Sequence, residues 1–242
     1  MADTLVFVRH GQSQANASGL FCGLLDVSLT EYGRKEAVHA AELLNEAALW
    51  PPVCFCSPLL RARQTADAFN ETLLMPPKRT IFDWRLAERN YGALSGRTKQ
   101  GVRAEYGEEQ FVVWRRSVHV APPPMSDEQR RSLGDAPPEL GLTESLHHVI
   151  VRVGHAWEQT IKPALHEEGS LLVIAHGNSL RAFCAILDSL TDTEVQALNI
   201  PNGHPLIYRL GADHKPVVRG GEYLEPGSAL VAAEKIAREG GT

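Results

Sequence analysis

A run of four apolar residues, Leu5-Val6-Phe7-Val8, gives way without a spacer to Arg9-His10-Gly11. The same transition recurs late in the chain, where Leu171-Leu172-Val173-Ile174-Ala175 empties into His176-Gly177-Asn178. Short uninterrupted apolar runs read as strands buried on both faces, the pattern of a parallel sheet covered by helices. Parallel neighbours need long crossovers, so the segments between such strands must supply helices. In these sheets ligands gather outside the carboxyl ends of the strands, near the point where strand order reverses. Two strands ending in His-Gly therefore predict one crevice holding both His10 and His176, with Arg9 and Arg181 near them. The alternative is that each histidine is a polar loop residue. The glycine after each predicts a sharp turn and a close backbone approach to a ligand.

The intervening chain has the helices that this reading needs. Thr30 reads as an N-cap with Glu31 in the first turn, followed by an apolar face of Ala37, Ala40, Ala41 and Leu44 that ends before Trp50-Pro51-Pro52. Val53 to Phe55 reads as a second strand. Ser57-Pro58 predicts a capping hydroxyl and a proline at the first position of the next helix, whose stripe is Leu59, Ala62, Ala66, Phe69 and Leu73. From Thr143 to about residue 167, Leu146, Val149, Ile150, Val153, Trp157, Ile161 and Leu165 repeat at helical spacing, with Pro163 as a kink. Leu206 to Leu210 reads as a further strand. Residues 83–142, rich in Arg, Glu, Gly and Pro, read as an insertion of short helices and loops anchored by Trp84, Tyr91, Phe111 and Trp114. The tail, residues 220–242, is expected to be mobile at its end. The fold class predicted is α/β: one domain over residues 1–242, a three-layer α/β/α sandwich with a mostly parallel central sheet and the insertion lying over the site.

Composition narrows the function. With 242 residues, 43% of them hydrophobic, the chain can bury one sizeable core. A formal net charge of −5 gives no bulk basic signal for nucleic acid, so any anion site must be a local cluster. The four cysteines, Cys22, Cys54, Cys56 and Cys184, do not form a disulfide framework. Cys54-Phe55-Cys56 lacks a second pair at zinc spacing, so no metal is expected. The first residues lack the basic and apolar regions of a signal peptide, and no apolar run approaches a membrane span; a cytoplasmic protein is expected. His147-His148 reads as surface or capping, and His39, His119, His155, His166, His204 and His214 give no site signal.

Arg9-His10-Gly11 resembles the signature of the histidine phosphatase superfamily. More of the chain matches one of its families. "VRHGQS", "DVSLTEYG", "DWRLAERNYGALSG", "YGEEQFVVWRRS", "APPPM", "TESL", "IAHGNSLRA" and "LNIPNGHPLIY", in this order, resemble the cofactor-dependent (2,3-bisphosphoglycerate-dependent) phosphoglycerate mutases over about residues 4 to 210. The resemblance implies interconversion of 2-phosphoglycerate and 3-phosphoglycerate, primed by 2,3-bisphosphoglycerate and needing no metal. It implies His10 as a nucleophile that becomes a phosphohistidine, which requires a neutral imidazole with its other nitrogen on an acceptor such as a backbone carbonyl. Arg9 and Arg61 would clamp the phosphoryl oxygens, and His176 would donate to them in the transition state. Gly177 and Asn178 would lie beside it. Glu88 would be the general acid/base for the substrate hydroxyl. Tyr91, Lys99, Arg115 and Arg116 would hold the carboxylate and second phosphate, with Arg89 and Asn90 in the same motif. Gln12, Ser13, Asn16, Cys22 and Gly23 would line the pocket from the first loop. A homodimer or homotetramer is also implied.

The chain departs from the family at Gln14-Ala15, usually Glu-Trp, and at Cys22-Gly23-Leu24, usually Thr-Gly-Trp. These changes alter the pocket wall and bear on substrate preference. They do not touch the residues assigned to the chemistry. The rival readings are a phosphomonoester phosphatase that uses the same phosphohistidine, and a phospholigand-binding regulator without turnover.

Overall fold

In the computed structural model, which describes residues 3–134, 137 and 139–240, the first half of the chain forms β1 (Asp3–Arg9), α1 (Gln14–Ala17), α2 (Glu31–Glu46), β2 (Val53–Cys56), α3 (Leu60–Thr72), β3 (Arg79–Phe82), α4 (Lys99–Arg116) and α5 (Asp127–Ser132). The second half forms α6 (Leu146–Ala156), α7 (Lys162–Glu168), β4 (Ser170–Ala175), α8 (Gly177–Asp188), α9 (Asp192–Ala197), β5 (Leu206–Leu210), β6 (Glu222–Tyr223) and α10 (Pro226–Arg238). The strands make one six-stranded sheet in the order β3-β2-β4-β1-β5-β6. β3, β2, β4 and β1 are parallel, and β5 and β6 run antiparallel at one side.

Side chains alternate across the pleat, and the two faces carry separate cores. Val6, Val8, Cys54, Cys56, Leu172 and Ile174 pack against Ala40, Ala41 and Leu44 of α2 and Ala62, Ala66 and Phe69 of α3. Leu5, Phe7, Val53, Phe55, Leu171, Val173 and Ala175 pack against Leu146, Val149 and Val153 of α6, Leu165 of α7 and Leu180 and Phe183 of α8. The continuous apolar runs thus reflect burial on both sides. Trp157 belongs to this second core. Among the described residues no helix is long and apolar enough to cross a membrane.

The register decides what emerges at the carboxyl edge. Arg9 of β1 pairs with Ala175 of β4, and the next backbone N–H, that of His10, donates to the Ala175 carbonyl at 3.0 Å. Cys56 of β2 pairs with Ile174 on the other side of β4, and the Ser57 N–H donates to the Ile174 carbonyl. His10, His176 and Ser57 therefore leave three adjacent strands at one level.

Several local expectations change. Ser57 is not the N-cap of α3 and Pro58 is not its first residue: the N-cap is Leu59, which makes no side-chain capping bond, and the Ser57 hydroxyl accepts from the Leu59 N–H at 3.4 Å and makes its shorter bond, 2.7 Å, to His176. The kink expected at Pro163 takes the form of a π-helical turn over Trp157–Ile161, between α6 and α7. A wide turn next to a proline accommodates its ring and missing donor. Ser145 caps α6, with its backbone N–H donating to the His148 ring at 3.2 Å. Packing by itself requires Gly11 to be small: a Cβ there would lie 2.0 Å from the Gly33 carbonyl oxygen of α2. Residues 83–142 hold α4, α5 and two single 3-10 turns, and Tyr91, Phe111 and Trp114 pack on Phe21, Leu94 and Val102. Trp84 packs against the cluster of Leu24, Ala87 and Leu140. The tail carries β6 and α10, and its last two residues, 241–242, where mobility is expected, lie outside the described residues.

Candidate active site

At the carboxyl edge of the sheet lies a cavity of about 220 Å³, with His10 on its wall. His10 Nδ1 lies 2.7 Å from the Gly11 carbonyl oxygen, and Arg61 Nε lies 3.2 Å from His10 Nε2. A carbonyl only accepts and a guanidinium only donates. Nδ1 must therefore carry the hydrogen and Nε2 must be bare. Burial, then the charges of Arg61 and Arg9, hold the His10 pKa well below its ordinary value of 6.5. The imidazole is neutral, with its lone pair on the nitrogen that faces the guanidinium.

The loop under this ring is fixed at several points. Asn202 Nδ2 donates to the His10 carbonyl at 2.6 Å, the Gly11 N–H donates to Thr65 Oγ1 at 3.2 Å, and the Gln12 N–H donates to Glu36 Oε2 at 2.6 Å. The His176 ring stands edge-on to His10, with centroids 4.9 Å apart, and its Nε2 hydrogen-bonds the Ser57 hydroxyl at 2.7 Å. Burial, Arg61 and His10 hold the His176 pKa well below 6.5.

Cationic groups surround the imidazole. Arg9 Nη1 is anchored on the Ile200 carbonyl at 2.8 Å, while its buried Nε has no hydrogen-bond partner among the described residues. Arg61 is aimed by the Leu25 and Gly23 carbonyls, at 2.8 and 2.9 Å. Lys99, partly buried beside Arg115, has its pKa lowered to about 7. Glu88 Oε1 accepts from the Arg89 N–H at 2.7 Å and from Asn178 Nδ2 at 2.9 Å. Asn178 Nδ2 also donates to the Tyr91 hydroxyl at 3.0 Å, and Arg181 Nη1 donates to Asn178 Oδ1 at 2.9 Å. Burial raises the Tyr91 hydroxyl, but Arg89 and Arg115 bring it below the ordinary tyrosine pKa.

Of the residues singled out from sequence, Arg9, His10, Gln12, Asn16, Cys22, Gly23, Arg61, Glu88, Tyr91, Lys99, Arg115 and Asn178 line the cavity. Six do not. His176 is wholly buried beside His10. Ser13 caps α1, its hydroxyl accepting from the Asn16 N–H. Arg89 runs beneath Tyr91, its guanidinium 4.4 Å from the ring centroid, and donates to the Trp114 carbonyl. Asn90 braces its own loop against the Gly141 carbonyl at 2.7 Å. Arg116 turns to Asn199 Oδ1 at 3.1 Å. Gly177 is the first residue of α8.

Sequence reasoning missed Tyr32, Glu36, Asn202, His204 and, from the tail, Ala232, Lys235, Ile236 and Glu239, all on the cavity wall. His204 carries no site signal by itself, but Asn202 and His204 lie in the family-like stretch "LNIPNGHPLIY", the one signal that points to them. The tail reaches the site because the Gly240 carbonyl accepts from Arg115 Nε at 3.3 Å. Burial pushes the Cys22 thiol up, and its Sγ lies 3.7 Å from the Leu25 carbonyl oxygen. Among the described residues no cluster of His, Cys, Asp and Glu is placed to hold a metal ion.

A neutral imidazole nitrogen in a cationic cavity is a nucleophile suited to an electrophile that carries negative charge, as a phosphoryl group does. The family model described as histidine phosphatase superfamily (branch 1) matches residues 5–221. A curated protein of a Nocardioides species is 44% identical over 99% of this chain and 100% of its own length, and is named 2,3-bisphosphoglycerate-dependent phosphoglycerate mutase. A protein of Clavibacter sepedonicus with the same name is 45% identical over 98% of this chain and 97% of its own. Among solved structures, mycobacterial glucosyl-3-phosphoglycerate phosphatase in complex with VO3 is similar at a TM-score of 0.66 and 27% identity, over 86% of this chain and 92% of that one. An alpha-ribazole-5'-P phosphatase from Escherichia coli shares the fold at a TM-score of 0.68 and 21% identity, over 88% of this chain and 92% of that one.

Proposed function

Because the chain belongs to branch 1 of the histidine phosphatase superfamily, and within it to the 2,3-bisphosphoglycerate-dependent phosphoglycerate mutases, we propose that it interconverts 2-phosphoglycerate and 3-phosphoglycerate through a phosphoryl group carried on His10. The observation that carries this reading is the His10 tautomer: Nδ1–H on the Gly11 carbonyl and a bare Nε2.

The donors present fit a polyanionic primer. Arg9 keeps a buried Nε that has no partner among the described residues, and Arg61, Lys99 and Arg115 share the same wall. When bound, 2,3-bisphosphoglycerate supplies the phosphoryl group. His10 Nε2 gives its lone pair to phosphorus, and the positive charge that develops on the ring is stabilised through Nδ1–H and the Gly11 carbonyl. Arg9 and Arg61 meet the charge on the equatorial oxygens. Glu88 returns a proton to the departing hydroxyl oxygen and takes one from the hydroxyl that next attacks. Lys99 and Arg115 hold the remaining carboxylate and phosphate charges. In the free protein His176 is a positioning residue, holding the His10 ring edge-on from its anchor on Ser57. Ser13, Arg89, Asn90 and Arg116 act through the groups they brace.

An enolase-coupled assay tests the activity. Turnover of 3-phosphoglycerate is expected to rise on addition of 2,3-bisphosphoglycerate and to vanish in His10→Ala; no stimulated turnover in the wild type would sink the reading. A second reading, capture of the phosphoryl group by water, is favoured by the phosphatases among the structural neighbours. Phosphate release faster than isomer formation would select it.

A further inference from the structure

Residues 87–91, which carry Glu88, lie in neither helix nor strand. Single 3-10 bonds hold the two ends, from the Ala87 N–H to the Trp84 carbonyl and from the Leu94 N–H to the Tyr91 carbonyl, but among the described residues no ladder or helical bond sets the backbone of residues 88–90, and a proton-transfer carboxylate must sit within hydrogen-bond reach of its target. Side chains supply the missing restraint. Arg152 of α6 donates from Nη1 to the Arg85 carbonyl at 2.6 Å and the Ala87 carbonyl at 2.9 Å, and from Nη2 to the Glu88 carbonyl at 3.2 Å. Its remaining bonds go to Glu144, from Nε to Oε1 at 2.8 Å and from Nη2 to Oε2 at 3.1 Å. A guanidinium has five N–H donors, and here each has a use. Glu144 completes the clamp on the far side of Glu88: its Oε2 accepts from the Asn90 N–H at 2.8 Å, and its own N–H donates to the Asn90 carbonyl at 2.9 Å.

Both charged side chains are almost wholly buried. A buried ion pair is a poor way to gain stability, since apolar residues of similar volume often serve as well or better. What it provides is directional bonding. The template is rigid: α6 buries Leu146, Val149 and Val153 in the core against β4 and α8.

We infer that the Glu144–Arg152 pair is the positioning device of the acid/base carboxylate, fixing the Glu88 backbone from both sides so that its side chain meets the substrate hydroxyl. The inference rests on the reading of Glu88 given above. Its consequence is selective. In isomerisation, the substrate hydroxyl oxygen bonds to phosphorus as the Nε2–phosphorus bond breaks, the bonding pair returns to Nε2, and the hydroxyl proton goes to Glu88. In transfer from para-nitrophenyl phosphate, the Nε2–phosphorus bond forms as the ester bond breaks, and nitrophenolate leaves with the electron pair and needs no proton. Displacing Glu88 must slow the first step and spare the second.

The test uses the full chain with Arg152→Met, Arg152→Lys and Glu144→Gln, and with Glu88→Gln as the reference. Two rates are read: steady-state isomerisation, and the rapid-mixing burst of nitrophenolate that accompanies phosphorylation of His10. Arg152→Met and Glu144→Gln are expected to lower isomerisation roughly tenfold or more while their burst rate changes far less, as in Glu88→Gln. Arg152→Lys is expected to recover part of the loss. Equal falls in both rates, or no fall in isomerisation, would overturn the inference. If Arg152→Met does not fold by circular dichroism, the nearly isosteric Glu144→Gln decides by the same two rates. If Glu88→Gln itself leaves the ratio of the rates unchanged, it is the role of Glu88 that fails; if only the Glu144 and Arg152 variants do so, the positioning role alone fails.

Discussion

Lys99 sits where a cationic site works against one of its own members. Burial first, then the charge of Arg115, lowers its pKa to about 7, so in the free protein its ammonium is charged below that pH and neutral above it. An anionic substrate favours the charged form. The KM for phosphoglycerate is therefore expected to rise as pH increases above about 7, where a phosphate monoester is already close to its dianion. Lys99→Met should give a raised KM without that slope. An unchanged wild-type slope in Lys99→Met would remove the assignment. At this scale the sequence was informative about residue types whose chemistry is unusual for their place, such as Arg9 and His10 at a strand end. It was silent on Ser57, because a serine before Pro58 fits a helix cap as well as it fits a histidine's partner. Arg89, Asn90 and Arg116 show the converse: adjacency in a motif does not say which way a side chain turns, and these face backbone carbonyls or Asn199.

At the scale of elements, the loop after β1 and the helix α2 approach until only glycines fit between them. A Cβ on Gly11 would meet the Gly33 carbonyl oxygen at 2.0 Å, and one on Gly33 would meet the Gln12 carbonyl oxygen at 2.1 Å. Intrinsic propensity says that Gly→Ala within a helix stabilises by about 1 kcal/mol. The contact says the opposite, since backbone atoms cannot swing aside. Gly33→Ala is expected to destabilise the protein by about 1–3 kcal/mol in chemical denaturation. A gain in stability would show that α2 is free to shift and that the loop under His10 is not pinned there. Periodicity located α2 and the α6–α7 run because their apolar faces repeat at helical spacing. It gave no warning of the π turn at Trp157–Ile161, which leaves the apolar residues on the same side. The glycine next to His10 was legible as a constraint, but its cause lies in another element.

Across the whole molecule, the decisive event is the insertion of β4 between β1 and β2. It brings His176 beside His10 and Ser57 beside His176, joining distant parts of the chain. The buried runs in the sequence announce parallel strands and two strand-end histidines, but strand order and register are settled by packing on both faces of the sheet. The tail escaped for a related reason: α10 exposes most of its residues and buries little, so its composition resembles a free terminus, yet Lys235, Ile236 and Glu239 close one side of the cavity. These features converge on one nitrogen, His10 Nε2. Incubation with 32P-labelled 2,3-bisphosphoglycerate, followed by peptide mapping of acid-labile phosphate, measures it directly. The account predicts label on His10 that is discharged by added phosphoglycerate. Label on another residue, or a chain that turns over phosphoglycerates without ever carrying label, would contradict it.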